Sequence, residues 1–252
     1  MPPSLPITIP DKPKPYIMAH RGNSAVAPEN TLAAFRQAIA DGADMIETDL
    51  HVTRDGVFVC IHDATLDRTT DGRGAVAELT LNEIKRFSAS YGRQSFSAER
   101  VPTLEELIAL LPLGIVLALE LKTDRFLDAG IARRLADQLR AAGVIERTVV
   151  LSFHIDRVHA LRSAAPQVPT GFITLSRLTP RVDAQLAGPF WPLLQINPLY
   201  VAWAHRRNML VAPLDPRPDR RLWLYRLLGC DAVLSNDPAA TLKRLGRTHS
   251  TP

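Results

Sequence analysis

Short apolar runs alternate along this chain with longer stretches whose apolar positions recur every three to four residues. That alternation is the pattern of strand–helix units feeding a parallel sheet. The runs predict strands over 16–21, 44–50, 115–122, 148–152, 169–174, 193–197, 209–214 and 231–236. Eight strands with helical crossovers predict an α/β fold of the (β/α)8, or TIM barrel, kind. A doubly wound open sheet is the alternative, but no Gly-x-Gly-x-x-Gly follows the first strand. The expected organisation is a proline-rich lead-in (1–15), one barrel domain (16–245) and a short tail (246–252).

Punctuation supports the helices. Asn30 is expected to cap a helix running to Asp41 and stopped by Gly42. Thr80 with Glu83, and Thr103 with Glu106, have the spacing of capping boxes. An apolar stripe through Phe126, Leu127, Ile131, Leu135 and Leu139 ends at Gly143.

One segment departs from the alternation. The second strand continues through Leu50-His51-Val52-Thr53, meets Asp55-Gly56, and returns as Val57 to Ile61. Asp-Gly between apolar runs predicts a β-hairpin, because so short a link cannot make a parallel crossover. With Asp55 and Gly56 as the turn, Arg54 pairs with Val57 and Asp49 faces His62. Glu47, Asp49 and His62 are thus expected together at the C-terminal rim of the barrel.

Four strand ends carry ionisable residues: His20-Arg21, Glu47-x-Asp49, His62-Asp63 and Glu120-x-Lys122. In a regular strand the first and third side chains of such a triplet share a face. Glu47, Asp49 and Glu120 offer carboxylate oxygens suited to one hard divalent cation, Mg2+ or Ca2+. His20 and His62 suit proton transfer near neutral pH. Arg21 and Lys122 supply positive charge for an oxyanion. Taken singly, each has a structural reading as a hydrogen-bonded histidine, a capping pair or an ion pair. Their convergence on the same ends of successive strands points instead to phosphoryl chemistry.

Composition adds little beyond exclusions. With 46% hydrophobic and 22% charged residues, the chain can bury a core and is not disordered. Thirty basic against 26 acidic residues give a net +4, without the clustered motif of a nucleic-acid binder. Cys60 and Cys230 lie in or beside apolar strands and are expected as buried free thiols. Prolines interrupt the N-terminal stretch, and the longest apolar run, Leu107–Leu119, is broken by Pro112 and Gly114. The expectation is a cytoplasmic protein with no integral membrane segment, acting on a small molecule, of unknown oligomeric state.

The chain resembles the glycerophosphodiester phosphodiesterase family in the order and spacing of several segments. These are His20-Arg21-Gly22, Pro28-Glu29-Asn30-Thr31, Glu47-x-Asp49, His62-Asp63, Leu66-Asp67-Arg68-Thr69-Thr70, Val101-Pro102-Thr103-Leu104-Glu105-Glu106, Glu120-x-Lys122 and Ser152-Phe153. The closing stretch Gly229 to Pro238 also looks like the family's last strand and turn. The resemblance runs from about residue 16 to 240. It implies a (β/α)8 barrel with a small helical insertion before strand 3, covering the mouth. It further implies a divalent metal on Glu47, Asp49 and Glu120, acid–base roles for His20 and His62, and phosphate contacts from Arg21 and Lys122. The implied reaction is hydrolysis of glycerophosphodiesters to sn-glycerol 3-phosphate and an alcohol.

The family usually carries Trp-Thr at the end of the seventh strand, where this chain reads Leu210-Val211-Ala212-Pro213. Ala212 at the tryptophan position is expected to reshape the pocket for the alcohol substituent. Two other readings compete: a sphingomyelinase D-like phospholipase that releases a cyclic phosphate, and an idle barrel kept for binding. Glu120-x-Lys122 argues against the first, and the full set of site residues against the second. Without an apolar access segment in the sequence, water-soluble diesters are the expected substrates.

Overall fold

Parallel strands with near-continuous apolar character and helical connections assemble here into one nearly closed barrel. The computed structural model describes residues 8–10 and 12–247. Parts of the expected lead-in (1–7 and 11) and tail (248–252) fall outside them. In chain order the elements are β1 (Tyr16–His20), α1 (Leu32–Ala40), β2 (Met45–Val52), β3 (Phe58–Cys60), α2 (Leu81–Ile84), α3 (Leu104–Leu110) and β4 (Val116–Leu121). Then come α4 (Ala129–Ala141), β5 (Thr148–Ser152), α5 (Ile155–Ala164), β6 (Thr170–Thr174), β7 (Leu186–Pro189), α6 (Pro192–Ile196) and α7 (Tyr200–His205). The chain closes with β8 (Leu210–Val211), α8 (Leu222–Leu228), β9 (Ala232–Ser235) and α9 (Pro238–Arg244).

The strands run in the order β8-β7-β6-β5-β4-β2-β1-β9, all parallel, with β3 paired antiparallel to β2 off this path. Across the remaining seam, Asp231 N–H donates to Val211 O (2.9 Å) and its carboxylate accepts from Val211 N–H (2.8 Å).

Strand alternation sorts side chains into two layers. Ile46, Leu117, Leu119 and Val150 face outward onto helix residues such as Phe35 and Leu135. Met18, Met45, Ala118, Val149, Leu151 and Ile173 fill the barrel interior.

Ile9, from the lead-in, joins that interior cluster beside Tyr16 and is only 4% exposed. Its N–H donates to Tyr16 Oη (3.1 Å). Ile9 therefore extends the interior cluster at the barrel floor. Truncating Ile9 to alanine should leave a cavity there and cost about 2–5 kcal/mol, readable as a lower urea midpoint with an unchanged m-value.

Four expectations need correction. The sixth barrel strand is β7, Leu186–Pro189, whereas 192–196 within the expected strand 193–197 is helical. Pro192 occupies the first turn of α6, where its missing N–H costs nothing. A short apolar run such as Leu193-Leu194-Gln195-Ile196 cannot be assigned by periodicity alone.

The hairpin loop has three residues, not two. Leu50 pairs with Cys60 and Val52 with Phe58, so Thr53 faces Val57 and Asp49 bonds with Ile61 (3.0 Å) rather than facing His62. Gly56, at φ +86°, takes the left-handed position of such a loop.

Thr31, not Asn30, caps α1, its hydroxyl accepting from Ala34 N–H (3.2 Å). The stripe through 126–139 is split, with Phe126 and Leu127 in a separate 3-10 turn and Asp128 capping α4. Both expected capping boxes are present, on α2 and α3. Between β3 and β4, residues including Ile61, Leu66, Val76 and Ile84 build a small cluster of their own. Both cysteines are free and buried.

Candidate active site

Register places the ionisable strand ends side by side. His20 on β1 pairs with Glu47 on β2, and Asp49 pairs with Glu120 on β4. Neighbouring residues in a parallel pair point the same way, so these four side chains converge at the C-terminal mouth. Carboxylate oxygens of Glu47, Asp49 and Glu120 lie within 4.8 Å of one another, all buried.

Three buried carboxylates so close cannot all ionise cheaply. Burial, then the charge of Asp49, pushes Glu47 well above the ordinary glutamate range, and the same two causes raise Glu120. Asp49 moves the other way. Burial opposes its ionisation, but Arg21 and Lys122 overcome that and hold it below the usual range. Its Oδ1 atom is buried without a hydrogen-bond donor, with Lys122 Nζ 3.6 Å away.

Each histidine is held from outside the cluster. His20 Nδ1 meets Asn236 Oδ1 at 2.7 Å. Burial, then the charge of Arg21, pushes the ring down to about 4, so it is neutral at physiological pH. His62 Nδ1 meets Asp63 Oδ1 at 2.6 Å, and Lys122 Nζ lies 3.1 Å from its Nε2. Lys122 also donates to Glu120 Oε1 (2.8 Å). The corrected hairpin register leaves His62 at the site because it follows the paired strand, with His51 Nε2 3.2 Å from its carbonyl.

Arg21 occupies the left-handed region (φ +60°) and is followed by Gly22 at +78°. A Cβ on Gly22 would stand 2.6 Å from the Ala34 backbone, so only glycine lets the chain turn this tightly against α1. The turn lets Arg21 N–H donate to Glu47 Oε2 (3.0 Å). The guanidinium donates to Glu29 (2.8 Å) and has Nε 3.1 Å from Asp49 Oδ2.

All seven residues expected from sequence therefore meet at one mouth. The sequence reading missed their supports. Asn30, bent into the left-handed region (φ +55°), donates to Asp49 Oδ2 (2.9 Å) and accepts from Thr48 Oγ1 (2.7 Å). Arg68 bonds both Asp63 (2.7 Å) and Glu29 (2.8 Å), linking the partners of His62 and Arg21. Asn236 directly follows β9, and a polar residue after an apolar strand was a readable signal.

Below the carboxylates, His20, Glu47 and Glu120 share one cleft with Leu151, Ile173 and Ala212. Its enclosed space is about 40 Å³. No helix among the described residues is long and apolar enough to cross a membrane.

The chain as a whole is similar to known proteins. The sequence profile of the Glycerophosphoryl diester phosphodiesterase family matches residues 20–240. A protein of Caldanaerobacter subterraneus subsp. tengcongensis named glycerophosphodiester phosphodiesterase is 34% identical over 236 residues, covering 89% of this chain and 95% of its own. Among solved structures, an Oleispira antarctica phosphodiesterase in complex with the product sn-glycerol-3-phosphate superposes with a TM-score of 0.83 at 25% identity, covering 92% of this chain and 97% of that one. A glycerophosphodiester phosphodiesterase from Agrobacterium tumefaciens gives 0.77 at 27% identity, with coverages of 89% and 98%.

Proposed function

From its membership of the glycerophosphoryl diester phosphodiesterase family, to which this chain belongs, we propose that it hydrolyses glycerophosphodiesters to sn-glycerol 3-phosphate and an alcohol with one divalent cation and two histidines. The observation that carries the reading is the buried carboxylate triad with the undonated Asp49 Oδ1. An all-oxygen, anionic donor set fits Mg2+ or Ca2+, and Glu47, Asp49 and Glu120 would hold it. Such a cation supplies Lewis-acid neutralisation of phosphate charge.

The chain's own groups do the rest. Arg21 and Lys122 bind the non-esterified phosphate oxygens, and Lys122 turns from His62 toward the phosphate. Asn236 accepting from Nδ1 leaves His20 Nε2 with its lone pair. His20 takes the proton as an oxygen nucleophile forms its bond to phosphorus. His62, held through Nδ1 by Asp63, gives a proton to the alkoxide as its P–O bond breaks.

The nucleophile is water or the glycerol 2-hydroxyl, the latter passing through a cyclic phosphate that water then opens. Phosphorus NMR of glycerophosphocholine or glycerophosphoethanolamine turnover, with Mg2+ or Ca2+, should end at the monoester. A persistent cyclic phosphate would favour a lyase, and no turnover of any diester would sink the reading.

Asn30 gives a separate check. Asn30→Ala removes the donor to Asp49 and the acceptor for Thr48, groups that orient the proposed metal ligand. Cation affinity should fall about 10- to 100-fold, as read by calorimetric titration.

A further inference from the structure

Arg68 makes a set of contacts that neither the carboxylate triad nor the two histidines account for. It stands in the segment between β3 and β4, flanked by the buried Leu66 and Thr69. Tyr91 N–H donates to Thr69 O (3.1 Å), and its ring lies over the guanidinium, 5.7 Å from centre to Cζ. Arg68 Nε donates to Asp63 Oδ2 (2.7 Å) and Nη1 to Glu29 Oε2 (3.0 Å). Nη2 donates to both remaining oxygens, Asp63 Oδ1 (3.1 Å) and Glu29 Oε1 (2.8 Å). Those two oxygens are the ones turned to the site. Asp63 Oδ1 meets His62 Nδ1 at 2.6 Å, and Glu29 Oε1 accepts from Arg21 Nη1 (2.8 Å). Among the described residues, no other side chain of 64–100 hydrogen-bonds to a group that holds His62 or Arg21.

We propose that Arg68 is a positioning residue for both ends of the reaction, fixing Asp63 on His62 and sharing Glu29 with Arg21. The inference rests on the phosphodiesterase reading above. A carboxylate only accepts, so Asp63 keeps a ring proton on Nδ1 and aims Nε2 toward Lys122 and the mouth. Asp63 is partly exposed, and without Arg68 its side chain can rotate and take the imidazole with it. Hydrogen bonds from Arg68 are also the largest cause holding Asp63 below the usual carboxylate range. Glu29 affects Arg21 in two opposed ways. It braces the guanidinium, but it competes with a substrate phosphate for the same charge. By bonding both Glu29 oxygens, Arg68 takes up part of that charge, so Arg21 keeps its brace and remains available to phosphate. A simple tie between this segment and the barrel would need only one carboxylate, and would lower stability without a kinetic signature.

The test uses Arg68→Met, which keeps the side-chain stem beside Tyr91, on glycerophosphocholine and on a nitrophenyl glycerophosphodiester with Mg2+ or Ca2+. On glycerophosphocholine kcat should fall about 10- to 100-fold, the cost of a small misplacement. Most of that loss should return on the nitrophenyl diester, whose leaving group needs no proton. On both substrates KM should rise about tenfold, the scale of one charge-assisted hydrogen bond. Adding Glu29→Gln removes the charge that then rests on Arg21 alone, so KM should return to within about threefold of wild type while kcat stays low. Arg68→Lys keeps the charge but cannot bond two carboxylates as a fork, and should leave kcat at least about tenfold down. Proton NMR gives a readout without turnover. The His62 Nδ1–H signal, identified by its loss in His62→Ala, should be sharp in wild type and broadened by exchange with water in Arg68→Met.

Wild-type turnover with both constants of Arg68→Met within about threefold would overturn the inference and leave the phosphodiesterase reading standing. Equal losses on both diesters, a KM that Glu29→Gln does not relieve, or full recovery in Arg68→Lys would also overturn it. No turnover of any diester by the wild type, with the His62 signal still lost in Arg68→Met, would sink the reading and leave the clamp on His62.

Discussion

Replacing Asp49 by asparagine is expected to lower kcat/KM for a glycerophosphodiester by about 10³-fold or more. A bound cation contributes several kcal/mol of charge stabilisation, and each 1.36 kcal/mol is about tenfold in rate. Asp49 is the ligand candidate with the undonated oxygen, and Arg21 and Lys122 keep it ionised. The amide removes that charge with almost no change of shape. Exhaustive chelation should produce a comparable loss, reversed by Mg2+ or Ca2+.

Stability gives a readout independent of turnover. Glu47 and Glu120 titrate above their unfolded values, so the folded, cation-free protein holds protons that the unfolded chain has released. Its stability must therefore fall as pH rises from the ordinary glutamate value through the raised ones. A cation competes with those protons, so the rise in Tm on adding it should grow with pH over that window. In Asp49→Asn the rise should be small at every pH. Full activity after chelation, together with a Tm indifferent to cation, would remove the metal from the account.

The candidate ligands were legible because each interrupts an apolar strand at a position where only one face is in question. Glu47-x-Asp49 and Glu120-x-Lys122 must share a face under strand periodicity, and the barrel decides the rest. β7 was not legible, since Leu186-Ala187-Gly188-Pro189 has few β-branched or aromatic residues to mark it. The apolar run after Pro192 supplied a false strand in its place. The hairpin erred by one residue because Asp-Gly serves both two- and three-residue loops, and only the left-handed Gly56 with its Thr53–Val57 closure separates them.

Asn30 illustrates a subtler loss. Its type suits a helix cap, and it stands one residue before the true cap, but its backbone is bent so that the amide reaches across to Asp49. No local pattern shows that contact.

The second large effect concerns the histidines. His20→Ala and His62→Ala should each reduce kcat by about 10²- to 10⁴-fold, the scale of a positioned acid or base, with KM changed far less. The two losses should respond differently to the leaving group. His20 is neutral and fixed by Asn236, leaving a lone pair at Nε2, the arrangement of a base. His62 sits against a carboxylate held by Arg68, the arrangement of a group that carries and returns a proton. An acidic leaving group such as a nitrophenol departs without protonation. Turnover of a nitrophenyl diester by His62→Ala should therefore recover most of its loss, whereas His20→Ala should stay impaired because its nucleophile still needs a base. Asp63→Asn should follow His62→Ala in pattern at smaller amplitude, since it leaves the imidazole but removes the carboxylate that holds its Nδ1. If instead His20→Ala recovers on the activated substrate and His62→Ala does not, the two roles are exchanged. If both retain near-wild-type turnover on the natural diester, neither imidazole moves the proton and the proposed mechanism fails.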